Sequence, residues 1–74
     1  MNRVVEALKD KQGGMTNAEF AKLLGISDAM WGYLLKGERQ PGGKLLKAAM
    51  RKFPDLTLVV MNYLAEEDTD GNGN

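Results

Sequence analysis

The chain contains no cysteine and no histidine. Without cysteine there is neither a disulfide nor a thiolate metal site to staple it. Without histidine the usual zinc ligand sets are excluded, and so is the commonest general base near neutral pH. Long apolar runs are also missing. The longest, Leu58 to Met61, is far too short to span a bilayer. The opening MNRVVEALKDK carries charges throughout, unlike the apolar stretch of a secretory signal. No catalytic constellation survives these absences. They point away from an enzyme, a cofactor, a metal, a membrane partner or a small-molecule substrate, and they fit a cytoplasmic setting.

Net charge is missing as well: ten Lys and Arg balance ten Asp and Glu. The distribution says more than the sum. Every Lys and Arg falls between Arg3 and Lys52, whereas Glu66, Glu67, Asp68 and Asp70 lie in the tail. Residues 1–65 therefore carry ten basic against six acidic side chains, a net of +4. At 74 residues the chain can form one small domain, held by close helix packing or by dimerisation. That domain is expected over residues 1–65. The acid, Gly and Asn tail, residues 66–74, is expected to be disordered.

What is present is a succession of short amphipathic helices with local stop and start signals. Helix 1 is predicted over Arg3–Lys11, capped by Asn2, with Val4, Val5 and Leu8 on one face and Gly13-Gly14 as its stop. Thr16 with Glu19 forms a capping box for helix 2, whose apolar stripe is Phe20, Ala21, Leu23 and Leu24. Gly25 ends it, Ile26 plugs the turn and Ser27 caps helix 3, predicted over Asp28–Lys36. Trp31, Leu34 and Leu35 share one face of helix 3, and Asp28, Ala29, Gly32, Tyr33 and Lys36 share the other. Gly37 stops it before a loop that contains Pro41. Helix 4 is predicted over Lys44–Phe53, with Leu46, Ala49, Met50 and Phe53 as its core stripe. Pro54 breaks it, and helix 5 follows over Leu58–Leu64. The fold class is all-α, with five helices. Two short helices joined by a tight turn, over Thr16–Pro41, form the layout of a DNA-binding helix-turn-helix.

The residues Ala21, Gly25, Ile26, Ser27, Trp31, Leu34, Gly37 and Pro41 stand in the pattern of a known family, and KFPDLTL stands where that family joins its last helix. Over residues 3–64 the chain resembles the phage lambda repressor and Cro-like helix-turn-helix proteins. It departs from them at Trp31, where Ile or Val is usual, and at Leu35, where Glu is common. It departs again at Asp28 and Ala29, where Gln, Arg or Ser is more usual.

The resemblance implies a repressor of phage or prophage type that binds double-stranded DNA, with helix 3 in the major groove. Ser27, Asp28, Ala29, Gly32 and Tyr33 then meet base edges. Ala29 suits a thymine methyl, Asp28 a cytosine amine and Tyr33 a base acceptor or a phosphate. Asn17 takes the family's phosphate-contacting place, and Lys36, Arg39, Gln40 and Lys44 surround the loop that would clamp phosphates. The plainer readings stand beside these: Asp28 as a first-turn acid, Tyr33 as a packed aromatic, the lysines as a solvated face.

Helix 5 is apolar nearly all round. Either it leaves apolar side chains exposed, or it pairs with a second copy through Val59 and Tyr63. A two-fold homodimer implies a palindromic operator. The alternative at the level of function is a protein-interaction module, antitoxin- or adaptor-like, built on the same fold.

Overall fold

Helix α1 (Arg3–Gln12) starts on the expected cap: the Asn2 side chain accepts from the amides of Val4, at 2.8 Å, and Val5. These bonds satisfy two of the amides that a helix start leaves without partners. Helix α2 (Asn17–Leu24) opens on a complete capping box. The Glu19 amide donates to Thr16 Oγ1 and the Thr16 amide to Glu19 Oε1, at 3.1 and 3.0 Å. Helix α3 (Asp28–Lys36) opens on Ser27, whose Oγ accepts from the Met30 amide. The computed structural model describes residues 2–71, and among them it holds these three helices, α4 (Gly43–Lys52), a 3-10 turn (Pro54–Leu56) and α5 (Thr57–Gly71), with no strand.

Helices α2 and α3 end in the same way. Gly25 and Gly37 sit in the left-handed region, at φ 77° and 79°, where a Cβ would be strained. The Gly25 amide donates to the Lys22 carbonyl and the Ile26 amide reaches back to Ala21. Gly37 to Leu34 and Glu38 to Tyr33 repeat the pattern. This crossed pair of bonds satisfies the last carbonyls and turns the chain sharply. Three residues therefore connect α2 to α3: Gly25 stops one helix, half-buried Ile26 packs against the core, and Ser27 starts the next.

Helix α1 packs against α5, α2 against α3 and α4, and α4 against α5. The core is centred on Val4, Val5, Leu8, Phe20, Trp31 and Val60, all fully buried. The Phe20 ring lies 5.1 Å from Trp31 in a tilted arrangement and 6.0 Å from Phe53 in a stacked one. Such offset aromatic packing adds to the burial of large apolar area.

Several expectations need correction. Leu23 is exposed, because α2 turns its Phe20–Ala21–Leu24 edge inward. Helix α4 buries Leu45 and Ala48 beside Leu46 and Ala49, while Met50 and Phe53 are only half-buried, since α4 is gripped between α2 and α5. Helix α5 does not stop at Leu64. It runs through Gly71, so the expected boundary after residue 65 falls inside it. Ala65, Glu66 and Glu67 are good helix formers, and no Gly or Pro lies between Thr57 and Asp70. An ion pair from Arg3 to Glu66 at 2.9 Å ties this extension to α1. Residues 72–74, the rest of the expected tail, lie outside the described residues. Among the described residues no helix is long and apolar enough to cross a membrane.

Candidate nucleic-acid interface

Helix α3 is anchored from behind. Trp31 and Leu34 are buried, and the Trp31 indole N–H donates to Gln12 Oε1 at 3.0 Å. Gln12 also donates through Nε2 to the Met15 carbonyl and to Asn17 Oδ1, both at 2.8 Å. One amide side chain thus fastens the end of α1 to the start of α2 and to the middle of α3. Nothing in the sequence singles Gln12 out, because Trp31, 19 residues away, is brought to it only by tertiary packing.

With its back fixed, α3 turns Asp28, Ala29, Tyr33 and Lys36 outward. All four are exposed, and Gly32 is half-buried between them. A Cβ built on Gly32 would meet nothing within 4 Å, so the surface there is open. Ser27 is exposed too, but its oxygen already accepts the Met30 amide. Its O–H is the part left to donate outward. Asn17 stands exposed at the first position of α2, with its Oδ1 taken by Gln12.

The loop after α3 extends this surface. Lys36, Arg39 and Lys44 are all exposed, and no carboxylate pairs with any of them among the described residues. The Arg39 guanidinium lies 5.8 Å over the Tyr33 ring. A residue expected at the bases and one expected at the phosphates therefore hold each other in place. Lys44 follows the start of α4, which Gly42 opens without a side-chain cap, so amides at that helix start have no side-chain acceptor. Helix starts of this kind favour anions.

Gln40 is placed differently from its expected role. Its Oε1 accepts from Asn2 Nδ2 at 3.2 Å and from the Tyr63 hydroxyl at 3.5 Å. It joins the start of α1, the loop and α5, which leaves only its Nε2 to meet a phosphate. Tyr63 and Val59, expected at a dimer contact, also need correction. Tyr63 is only 8% exposed and belongs to the core, and Val59 is half-buried against it. Because α5 is apolar on most sides, periodicity does not select its inner face. Packing against α1 and α4 takes Val60 and Tyr63 inward. It leaves Leu58, Met61 and Leu64 outward, at 70%, 55% and 40% exposure.

Among the described residues no group of acidic side chains is arranged to hold a metal ion. The arrangement offers a convex helix face, flanked by cations, whose polar groups are held by packing behind them. Compared with known proteins, the chain matches no family model, no curated protein and no solved structure.

Proposed function

We propose that the chain is a sequence-specific DNA-binding regulator, of phage or prophage repressor type, in which α2 and α3 act as a helix-turn-helix. The observation that carries the reading is the outward face of α3, Asp28–Ala29–Gly32–Tyr33, continued by the cations Lys36, Arg39 and Lys44, none of which has a carboxylate partner among the described residues. Helix α3 enters the major groove, and its first residues read base edges. The three cations and Asn17 meet the flanking phosphates, set the register and supply most of the affinity. The Arg39 stack presents Tyr33 to the groove in a preset orientation.

The protein acts as a two-fold dimer on a palindromic operator. The contact is the outward edge of α5, Leu58, Met61 and Leu64, in place of the Val59 and Tyr63 edge that faces the core. Such a dimer sets two recognition helices about one DNA turn apart, roughly 34 Å.

The deciding experiment is a fluorescence titration with duplex DNA at low salt, followed by selection of bound sites from random sequence. Non-specific affinity at least as tight as the about 1–100 μM usual at physiological salt, and recovery of a symmetric site, are expected. No binding in that range would instead favour a protein-interaction module, and would sink the DNA reading. Arg39→Ala is expected to weaken all duplexes alike and to lower the slope of log affinity against log salt by about one. An unchanged slope removes Arg39 from the phosphate contacts. Tyr33→Ala is expected to change the selected site, and selection of the wild-type site would remove Tyr33 from base reading.

A further inference from the structure

The loop after α3 closes over an open-mouthed cavity of about 330 Å³. Its floor is apolar, made by Ile26 of the turn, Met30 and Leu34 of α3 and Leu45 of α4. Its rim is cationic, made by Arg39 and Lys44. Neither cation has a carboxylate partner among the described residues, where the two ion pairs are Arg3 with Glu66 and Lys11 with Asp55. The Arg39 guanidinium lies 5.8 Å over the Tyr33 ring and carries five N–H donors, so it can meet an acceptor while keeping that contact. The volume is at the lower end of the range for small-molecule sites, about 300–1,000 Å³, which combine apolar walls with a few placed polar groups.

A phosphate group suits the two cations but leaves the apolar floor unused. A neutral hydrocarbon covers the floor but leaves the cations unmatched. Both features are satisfied by one kind of molecule, an anion carried on a compact apolar body. We propose that this cavity binds a small apolar carboxylate, with its hydrocarbon part on Ile26, Met30, Leu34 and Leu45 and its carboxylate between Arg39 and Lys44. Burial of the hydrocarbon supplies the driving force, and charge-assisted hydrogen bonds from the rim fix the orientation. This site shares Arg39 and Lys44 with the proposed phosphate contacts, but it does not rest on the DNA reading.

The test is a titration of the full chain, labelled on its methionine methyl groups, with octanoate, followed by NMR. Met30 lines the cavity, and Met15, exposed before α2 and outside the cavity lining, is the internal control. Octan-1-ol carries the same tail without the charge, and inorganic phosphate carries charge without the tail. Octanoate is expected to move the Met30 signal saturably and to leave Met15 in place. Octan-1-ol should bind about tenfold more weakly, since it lacks the charged hydrogen bonds, and phosphate should leave Met30 unmoved. Arg39→Gln and Lys44→Gln, both at exposed positions that tolerate the change, should each weaken octanoate and leave octan-1-ol unaffected. The proposal is overturned if Met30 does not respond, if octan-1-ol matches octanoate, if phosphate reproduces the shift, or if neither variant weakens octanoate. No DNA enters this measurement, so a chain that ignores duplex can still bind octanoate, and the two readings fail separately.

Discussion

Gly32 is the residue at which stability and the proposed function pull in opposite directions. It lies inside α3, where Gly costs about 1 kcal/mol relative to Ala, and a Cβ added there would meet nothing within 4 Å. Gly32→Ala should therefore raise stability by about 0.5–1 kcal/mol in a urea titration. If DNA approaches the α3 backbone at this point, the same methyl group should weaken duplex binding several-fold. A variant that is more stable and binds DNA unchanged would remove Gly32 from the interface. Gln12 makes the opposite case, because its three hydrogen bonds are structural. Gln12→Ala strands the indole N–H of fully buried Trp31, and the cost should be about 1–3 kcal/mol by chemical denaturation. A loss below about 0.5 kcal/mol would mean that water takes over the indole.

At the scale of the elements, the starts of α1, α2 and α3 and the stops of α2 and α3 were readable in the sequence because their chemistry is local, whereas the end of α5, at Gly71 and not Leu64, was not. The caps Asn2, Thr16 and Ser27 and the stops Gly25 and Gly37 each act within five residues of themselves. The candidate site was readable to the extent that it follows from helix phase, as it does for Asp28, Ala29 and Tyr33. What the sequence did not reveal was which side of α5 faces inward, the Gln12 junction, and the capture of Gln40 by Asn2 and Tyr63. Each of these depends on residues far apart in the chain, and for α5 several helix phases bury similar apolar area. The observed phase makes a sharp prediction. Leu58→Glu with Met61→Glu should leave the protomer's stability within about 0.5 kcal/mol, since both side chains are exposed, and should halve the mass seen in sedimentation. Val60→Ala, at a fully buried site, should cost about 2 kcal/mol. An unchanged mass for the double variant would place the proposed dimer contact elsewhere, or, if wild type has the mass of one chain, remove the dimer. The tie from α1 to the turn before α5 can be read through pH. A hydrogen bond from Lys11 holds the Asp55 carboxyl below its ordinary value near 3.8. A depressed folded-state pKa adds stability that is fully present above the unfolded value and is lost as pH falls through the folded one. Wild type should thus exceed Asp55→Asn in stability at neutral pH, by a small margin because the pair is exposed, and the gap should close below about pH 4. A gap that persists into strong acid would show that the pair is not its source.

The whole molecule has no net charge, yet its charge is sharply divided. Ten basic and six acidic side chains lie in residues 1–65, and four acids follow in residues 66–70. In the proposed DNA complex, the charge of the first part would attract the phosphates and the acids that follow residue 65 would oppose them. Glu66→Gln, Glu67→Gln, Asp68→Asn and Asp70→Asn together change the formal charge of the 74-residue chain from zero to +4. The expected result is tighter duplex binding at low salt. The advantage should fade as salt rises, because the screening length shrinks from about 30 Å at 0.01 M to about 3 Å at 1 M. Loss of the Arg3 ion pair with Glu66 should matter little, since both partners are more than half exposed. A urea titration of the same variant checks that point separately. The salt dependence is what decides the mechanism. An advantage that survives at high salt would indicate direct contact between the acidic end and the DNA site. No advantage at any salt would mean that the α5 end points away from the duplex, and that the division of charge serves something other than DNA binding.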